Sequence, residues 1–339
     1  PTPYPFTSEG LDACTEWSAR IMWRMGGRPG DRVAVCLALS MHIGGVPACY
    51  AITYKMGACP IPIGAEAGTE RILRFLKMFK ADALVCTPSL AEYLIEKAPQ
   101  IIGADVKSLG LKAILAGGEP GAGIPEIRQR IEEAYGCTLY DAGAGLGGSC
   151  GYPEYQGMHW VMDDYAFIEL VDPETKEPIP LEDGAEGEAV LTSFKGSFTG
   201  TLRMSFGDIA QIFVSPCPCG QSGLRYKITG RIDDMMKIKG EMVYPSLIDA
   251  VISEFIPRVT GEFRIILNQP LPRIEPPLKL KVEYGEGVKE DQLEALANEI
   301  KERMHSRLKV TPQIIWVPPN SMERVVMKKK FFEKTYEKK

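Results

Sequence analysis

Cysteine and histidine side chains stand at two places in the chain where they could bind a soft metal ion. Cys217 and Cys219 are separated by one proline, a tighter spacing than the two intervening residues that most redox pairs use. Cys150 and His159 lie upstream in CGYPEYQGMH. Three thiolates and one imidazole form a standard structural zinc site. The residues by themselves leave two interpretations open, a turn with ordinary thiols or a four-ligand zinc site.

A second set of polar residues has the chemistry to bind a nucleotide. Asp208 follows Gly207 near a predicted strand end, where an ionised carboxylate can accept hydrogen bonds from two sugar hydroxyls. The same two residues are also typical of an Asx turn. Further on, the stretch GRIDD contains Arg231, Asp233 and Asp234. It is either a charged linker or a hinge with an arginine that faces phosphate or ribose.

The elements that would position these residues alternate between helix and strand over 7–142. Nearly all-apolar segments such as RVAVCLAL, ALVCTP and KAILAG are typical of buried parallel strands. Helices are predicted from Thr7 or Ser8 to Arg24, over TERILRFLKMF, over SLAEYLIEKA with Ser89 as N-cap, and over PEIRQRIEEAYG. We therefore expect an α/β fold with a mostly parallel sheet and helices on both faces. Ligands of such sheets bind beyond the carboxyl ends of the strands, where AGGEP and YDAGAGLGG lie.

The pattern changes in the second half of the chain. Short segments with turns, such as FIELVD, GEAVLTSF and IAQIFV, predict an antiparallel β subdomain over 160–230. A hairpin, the helix SLIDAVISEF and several strands then predict a small, mobile α+β domain. The expected domains are 1–231 and 232–339.

Composition narrows the classes of partner. The net charge is −5, and no basic stripe is interleaved with aromatic residues, so we expect no nucleic-acid partner. No apolar run reaches the roughly 18 residues of a membrane helix and no signal peptide is present, so we expect no membrane partner. Nine scattered cysteines indicate reduced thiols and a cytoplasmic location. His42 and His305 are interpreted as a loop residue and a solvated helix residue, and a homodimer is left open.

Longer motifs, in their order along the chain, resemble those of one enzyme family. They are TERILRFLKMFKADALVCTPS, AGGEP, YD, DPETKEPIPLEDGAEGEAVLTS, GD, CPCG and GRIDDMMKIKGEMVYPS. The whole chain is similar to the phenylacetate–CoA ligase family of adenylate-forming acyl-CoA synthetases. The resemblance implies an ATP- and Mg²⁺-dependent ligase that converts a small carboxylic acid into an acyl-adenylate and passes the acyl group to coenzyme A. It also implies a C-terminal domain that swings between these two steps.

The resemblance assigns nucleotide contacts to named residues. It implies that one loop lies against adenine, that Asp141 binds the exocyclic amine, and that Asp208 holds the ribose hydroxyls. Arg231 would contact ribose or phosphate. The residues of the adenine loop are Gly118, Glu119 and Pro120.

The resemblance also assigns the acyl pocket, the hinge and the metal. Tyr54 and the loop that contains Gly64 and Ala65 match the acyl pocket and would select the acid. Asp233 and Asp234 would lie at the hinge. Family members with CxCG at this place also carry a cysteine and a GxH upstream, so the resemblance favours structural zinc over a simple turn.

Three parts of the family pattern are altered. The phosphate-binding loop should immediately precede Pro1, so the chain as given is expected to lack part of its grip on ATP. The family's Tyr-Gly-x-x-Glu is replaced by GAGLG at 143–147, and glycine cannot coordinate a cation. Glu154 or the phosphates alone would have to bind Mg²⁺. The adenylation lysine aligns with Met327 or Lys328; Lys328 is the candidate, and a solvated tail is the alternative.

Two other functions stay open on these departures. One is adenylation without coenzyme A, as in related synthetases that adenylate a deazaflavin cofactor. The other is a family member that binds nucleotide or acyl-CoA and has lost catalysis.

Overall fold

The chain forms two compact units that divide between Ile228 and Thr229, called here the large unit and the small unit. The computed structural model describes residues 6–40, 44–143, 146–194, 201–324 and 329–337. Within these ranges no helix combines the length and the apolar character that crossing a membrane requires. The domain boundary expected after Arg231 stays a prediction.

The large unit contains a five-stranded sheet with strand order β2-β1-β3-β4-β5. Its strands are β1 Arg32–Val35, β2 Cys59–Pro62, β3 Ala83–Cys86, β4 Ala113–Ala116 and β5 Thr138–Asp141. Every neighbouring pair is parallel, and all residues of β3 and β4 are buried. Full burial of a strand requires cover on both faces of the sheet, so the predicted parallel sheet is confirmed.

Helices connect these strands. They are α1 Ser8–Arg24, α2 Val46–Tyr50, α3 Thr69–Phe79, α4 Pro88–Ile102 and α5 Pro125–Tyr135, with a π-helix at Ala51–Lys55 and 3₁₀ helices at Ala65–Ala67, Val106–Leu109 and Pro120–Gly123. Thr7 caps α1 through its side chain, as predicted. The prediction of Ser89 as the cap of α4 is wrong. Thr87 accepts the hydrogen bond of the Leu90 N–H at 3.2 Å, because Pro88 takes the first helical position.

A seven-stranded sheet follows, with strand order β6-β7-β12-β11-β10-β8-β9. Its strands are β6 Gly147–Ser149, β7 Met158–Trp160, β8 Ala166–Val171, β9 Pro178–Ile179, β10 Glu186–Ser193, β11 Met204–Phe213 and β12 Arg225–Arg231. The pairs β6–β7, β7–β12, β8–β9, β8–β10 and β10–β11 are antiparallel. One buried cluster joins α1 to both sheets through Trp17, Ile21, Val85, Trp160 and Ile212. The strand β6 lies upstream of residue 160, where the subdomain was expected to begin, and β7 ends at that residue.

The small unit is an α+β structure. A 3₁₀ helix, Ile232–Asp234, leads into the hairpin of β13 Met236–Ile238 and β14 Glu241–Val243. Then follow α6 Pro245–Ser253, β15 Val259–Leu267, β16 Leu278–Tyr284, a 3₁₀ helix Glu290–Gln292, α7 Leu293–Leu308, β17 Pro312–Val317 and β18 Phe332–Lys334. The sheet order is β17-β16-β15-β18. Fully buried side chains such as Phe263, Leu280 and Ile300 form its own core.

Candidate functional site

The loops after β4 and β5 lie side by side at the carboxyl edge of the parallel sheet. Ala116 is the register partner of Asp141, and the Ala142 N–H donates to the Ala116 carbonyl at 2.8 Å. A Cβ at Gly117 would lie 2.6 Å from the Ala142 carbonyl oxygen, so only glycine allows this approach. The structure therefore brings the AGGEP loop and Asp141 together, as a shared ligand would require.

The side chain of Glu119 anchors its loop to α4. Its carboxylate accepts hydrogen bonds from the Ser89 N–H at 2.7 Å and from the Ser89 hydroxyl. A carboxylate at a helix N-terminus satisfies a free amide and interacts favourably with the helix dipole. The predicted adenine contact of this loop would therefore come from its backbone and from Gly118, which has a φ of 88°.

Asp141 is a buried carboxylate with a close tyrosine partner. Its residue surface is 5% exposed, and Tyr155 Oη donates to Asp141 Oδ2 at 2.7 Å. Burial raises the pKa of Asp141 to about 6, against the Tyr155 hydrogen bond and the charges of Lys227 and Arg128, which lower it. The Asp141 N–H donates to Ser149 Oγ at 2.9 Å, which fixes the backbone at the strand end.

Tyr155 is a site residue that sequence reasoning missed. Arg128 and Lys227 lie 5.8 and 5.7 Å from the centroid of its ring, within cation–π range. Desolvation lowers the pKa of Lys227, while the charges of Asp141 and Glu126 raise it. The only signal in the sequence was the position of this tyrosine between two predicted metal ligands.

Four predicted metal ligands converge in the large unit. One ligand atom from each of Cys150, His159, Cys217 and Cys219 lies within 4.8 Å of the others. Cys150 Sγ and Cys217 Sγ are 3.9 Å apart, and Cys219 Sγ and His159 Nε2 are 3.5 Å apart. Cys150 follows β6, His159 lies in β7, and both Cys217 and Cys219 lie in the turn between β11 and β12.

The protonation of this cluster suits a metal. Burial and, to a smaller extent, the charges of Arg24 and Arg225 lower the pKa of His159 to about 4, so the imidazole is neutral and able to ligate. Burial raises the pKa of Cys150 to about 11, and a coordinated cation is what would deprotonate such a thiol. Within the described ranges, His159 Nδ1 and Arg24 Nη1 are buried without a hydrogen-bond partner. The donor set fits zinc.

Arg225 joins the two loops that carry the ligands. Its Nη1 donates to the Gln156 carbonyl at 2.7 Å, and its Nη2 donates to the Ser215 carbonyl at 2.8 Å. In the strand register Arg225 is paired with His159. The cluster is thus held by main-chain contacts of a buried guanidinium as well as by the ligands.

Comparison with known proteins identifies the family. The family model of the AMP-binding enzyme C-terminal domain matches residues 240–334. A phenylacetate-coenzyme A ligase from Thermus thermophilus is 29% identical over 345 residues, which cover 96% of this chain and 75% of that protein. The structure of 2-hydroxyisobutyryl-CoA ligase with R3-HIB-AMP, in the postadenylation state, is 32% identical with a TM-score of 0.88, covering 99% of this chain and 72% of that chain. The chain belongs to the adenylate-forming acyl-CoA ligase family. An open conformation of that ligase with 2-HIB-AMP and CoA also matches, with a TM-score of 0.66, 32% identity, and coverage of 98% of this chain and 73% of that chain.

The segment after β5 differs from the family motif at Gly143 and Gly147. A Cβ at Gly143 would lie 2.6 Å from Met158 Cε, and the Gly143 N–H points at Met158 Sδ, 2.7 Å away. A Cβ at Gly147 would lie 2.4 Å from the His159 carbonyl oxygen and 2.8 Å from Tyr226 Cε1. The backbone contact at Gly147 leaves no room for the carboxylate of the family motif, so the described residues do not fit the family's Mg²⁺ ligation, whereas an aromatic residue at position 143 would require the end of the Met158 side chain to move. Glu154, the proposed substitute, is solvent-exposed.

The other two predicted nucleotide residues, Asp208 and Arg231, lie in β11 and at the end of β12. Asp208 is half-buried in β11, and both it and Asp141 act electrostatically on Tyr226, whose pKa burial raises well above its usual value. Because both carboxylates act on Tyr226, Asp141 and Asp208 lie in the same region of the large unit. Arg231, at the end of β12, belongs to the small unit, together with the hinge candidates Asp233 and Asp234.

The predicted acyl-pocket residues are divided between interior and surface. Ala65 is 5% exposed, whereas Tyr54 is 74% exposed and stacks on Tyr50 with ring centroids 5.8 Å apart. The Gly64 N–H donates to the Val35 carbonyl at 3.0 Å, which places this loop beyond the carboxyl end of β1. The loop thus shares an edge of the sheet with the nucleotide residues.

The lysine candidate Lys328, its alternative Met327, and His42 lie outside the described residues. Lys329 is engaged within the small unit, where its Nζ donates to Asp249 Oδ1 at 2.6 Å and to the Gly261 carbonyl at 2.9 Å. His305 is exposed on α7, as expected for a solvated helix residue.

Proposed function

We propose that this protein is an AMP-forming acid–thiol ligase that activates a small carboxylic acid with ATP and transfers the acyl group to coenzyme A. The observation that carries the proposal is a buried Asp141 beside the AGGEP loop, in a chain that is 32% identical to a CoA ligase seen with its acyl-adenylate. That ligase was also seen with CoA. Tyr54, Gly64 and Ala65 are the residues that would select the acid.

The proposed reaction has two displacements. A carboxylate oxygen of the acid forms a bond to the α-phosphorus of ATP, the bond to the β-phosphate oxygen breaks, and pyrophosphate leaves. The sulfur of coenzyme A, after loss of its proton, then attacks the acyl carbon, and AMP leaves with the bonding electrons. Asp141 would accept the exocyclic amine of adenine and Asp208 the ribose hydroxyls. Arg231 and Lys328 would neutralise charge that develops on the α-phosphate.

No step of the proposed reaction is assigned to Mg²⁺. In the family the ion would screen the phosphate charges. The backbone and side chains that fill the space at Gly143 and Gly147 exclude the motif's carboxylate.

We also propose that Cys150, His159, Cys217 and Cys219 hold one structural zinc ion. The support is their convergence within 4.8 Å and the neutral state of His159. Four protein ligands leave no open position for a substrate, which is typical of structural sites. The ion would tie the end of β6 and the strand β7 to the turn before β12, since these segments supply the ligands.

The C-terminal domain predicted over residues 232–339 would rotate between the two displacements. Asp233 and Asp234 form a short 3₁₀ helix with Ile232, between β12 and β13. A short helical turn between two strands can absorb a change in a few backbone dihedral angles. These aspartates are the proposed hinge.

Pyrophosphate release from ATP tests the ligase proposal. Purified protein is assayed over a panel of aryl and short aliphatic acids, with and without coenzyme A. We expect one class of acid to release pyrophosphate and to yield the thioester only when coenzyme A is present. Release without any need for coenzyme A would support adenylation alone. Nucleotide binding without turnover on any acid would overturn the ligase proposal.

A further inference from the structure

A buried carboxylate and a tyrosine hydroxyl form a pair at the nucleotide edge that no family motif assigns. Tyr155 Oη donates to Asp141 Oδ2 at 2.7 Å. An ionised carboxylate has two acceptor oxygens, so a hydroxyl on one oxygen leaves the other for a ligand. The burial of Asp141 makes a fixed orientation valuable, because a misdirected buried carboxylate would leave a ligand's donor unsatisfied.

The pair packs against the loop that follows AGGEP. A Cβ at Gly123 would lie 3.2 Å from Asp141 Oδ2 and 3.3 Å from Tyr155 Oη. The side chains of Asp141 and Tyr155 are therefore in near contact with the 3₁₀ helix Pro120–Gly123. This contact joins the two loops between which the adenine ring is proposed to lie.

Charged groups from two further elements face the pair. Lys227 of β12 and Arg128 of α5 lie on the Tyr155 ring and both favour ionised Asp141. The Arg128 guanidinium is fixed by Glu132 Oε1 at 3.2 Å.

Two other ionisable groups complete these surroundings. Burial and the charge of Asp141 raise the pKa of Tyr226 in β12. Burial lowers the pKa of Lys227, while the charge of Glu126 in α5 raises it. The groups that face Asp141 thus come from the loop before β7, from β12 and from α5.

We propose that Tyr155 is a positioning residue for adenine: its hydroxyl holds one oxygen of Asp141 so that the other accepts the exocyclic amine of AMP or ATP. The inference rests on the proposed function, because it requires a nucleotide at Asp141. Gly143 stands at the position of the motif's aromatic residue, and Met158 Cε lies 2.6 Å from the place of a Cβ there. Recognition of adenine in this chain therefore depends more on the orientation of Asp141 than on a stacking platform.

The pair gives adenine binding a pH dependence. The exocyclic amine donates a hydrogen bond, and the ionised carboxylate accepts it more strongly than the neutral acid does. Burial raises the pKa of Asp141 to about 6, and the carboxylate is lost as the pH falls through this value. Because the Tyr155 hydroxyl lowers this pKa, its removal raises the pKa and moves the loss of binding to higher pH.

Calorimetric titration with AMP from about pH 5 to pH 8, the range around this transition, tests the inference. Tyr155→Phe should weaken AMP binding about tenfold at neutral pH, the effect of a hydrogen bond to a charged group, and raise the pH midpoint. The matched control is Tyr140→Phe, since Tyr140 lies beside Asp141 on β5 and is half-buried. It should leave both quantities unchanged. GMP has a carbonyl in place of the amine, so its weaker binding should not respond to Tyr155→Phe.

Asp141→Asn provides a second measurement if Tyr155→Phe does not fold. Its amide oxygen still accepts the amine but cannot titrate. The phosphate of AMP and of GMP itself ionises at about pH 6, so AMP should then follow the same pH profile as GMP. The inference is overturned if folded Tyr155→Phe matches the wild type in affinity and midpoint, if Asp141→Asn keeps a pH transition for AMP that GMP lacks, or if the wild type does not bind AMP. Failure of the ligase proposal would look different, with these AMP profiles intact and no acid turned over.

Discussion

The metal cluster and the glycine segment at 143–147 meet at the strands β6 and β7, and only the cluster has the residue types that the family resemblance predicts. His159 of β7 contributes to the cluster, while its neighbour Met158 fills the space at Gly143. Adjacent residues of a strand project to opposite faces. One short strand thus serves the proposed zinc site on one side and the altered nucleotide segment on the other. We therefore expect a change at the zinc site to affect the glycine segment through β7.

Removing a metal ligand should produce the largest effect. Cys217→Ser is expected to abolish binding of one zinc ion per chain and to destabilise the large unit by about 4 kcal/mol, the scale of losing a structural metal. Elemental analysis and urea unfolding measure the two quantities. Cys59→Ser is the control, because Cys59 is exposed and outside the cluster. Equal stability of the two variants, or a metal-free wild type, would contradict the zinc proposal.

The linkage predicts a further consequence of the same variant. If zinc holds β7, Cys217→Ser should also weaken AMP binding, because Met158 would no longer be held against Gly143. An intact AMP affinity in metal-free, folded protein would separate the cluster from the nucleotide segment.

The sequence predicted the cluster more fully than the nucleotide edge. The cysteines and histidine alone left a turn and a zinc site open, and the family resemblance then selected the four residues that the structure brings together. The buried strands were equally clear, since β3 and β4 consist of apolar residues alone. In contrast, Tyr155 and Met158 act through tertiary contacts with segments about 15 positions away in sequence. No local pattern distinguishes such side chains from ordinary core residues.

The side-chain role of Glu119 also depends on a tertiary contact that the sequence alone does not show. Its motif predicted the loop and its place after β4. The anchoring of α4 through Ser89 depends on a contact 30 positions apart in sequence, and propensity placed the cap at Ser89 itself. Neighbouring strands and helices have to be assembled before such a contact can be inferred.

Introducing the family's glutamate at position 147 should not raise the rate of pyrophosphate release. Gly147→Glu is expected to cost about 3 kcal/mol, the upper range for overpacking, because the new Cβ meets the His159 carbonyl at 2.4 Å. Gly147→Ala separates the cost of the Cβ from that of the carboxylate. Gly148→Ala is the neighbouring control, with a milder contact of 2.9 Å to Ile21 Cγ2. A stable Gly147→Glu protein with raised pyrophosphate release would refute this view of the segment.

The family's aromatic residue should be tolerated at position 143 only together with a smaller side chain at position 158. Gly143→Tyr clashes with Met158 Cε, so combining it with Met158→Ala should be less damaging than the sum of the single changes by about 1 kcal/mol. Thermal unfolding of the four proteins in the cycle gives this coupling energy. Additive effects would mean that Met158 does not occupy the space of the missing ring.

The smallest effect on stability is expected at the acyl side of the edge. Tyr54 is 74% exposed, so Tyr54→Ala should change the free energy of unfolding by less than about 0.5 kcal/mol. If Tyr54 selects the acid, the same variant should change the ranking of acids in the pyrophosphate assay while AMP affinity stays constant. Tyr336→Ala, at a tyrosine of the small unit that is 37% exposed, controls for loss of a surface ring. An unchanged ranking would remove Tyr54 from the acyl pocket and leave the selection to Gly64 and Ala65, which the sheet edge already holds beside β1.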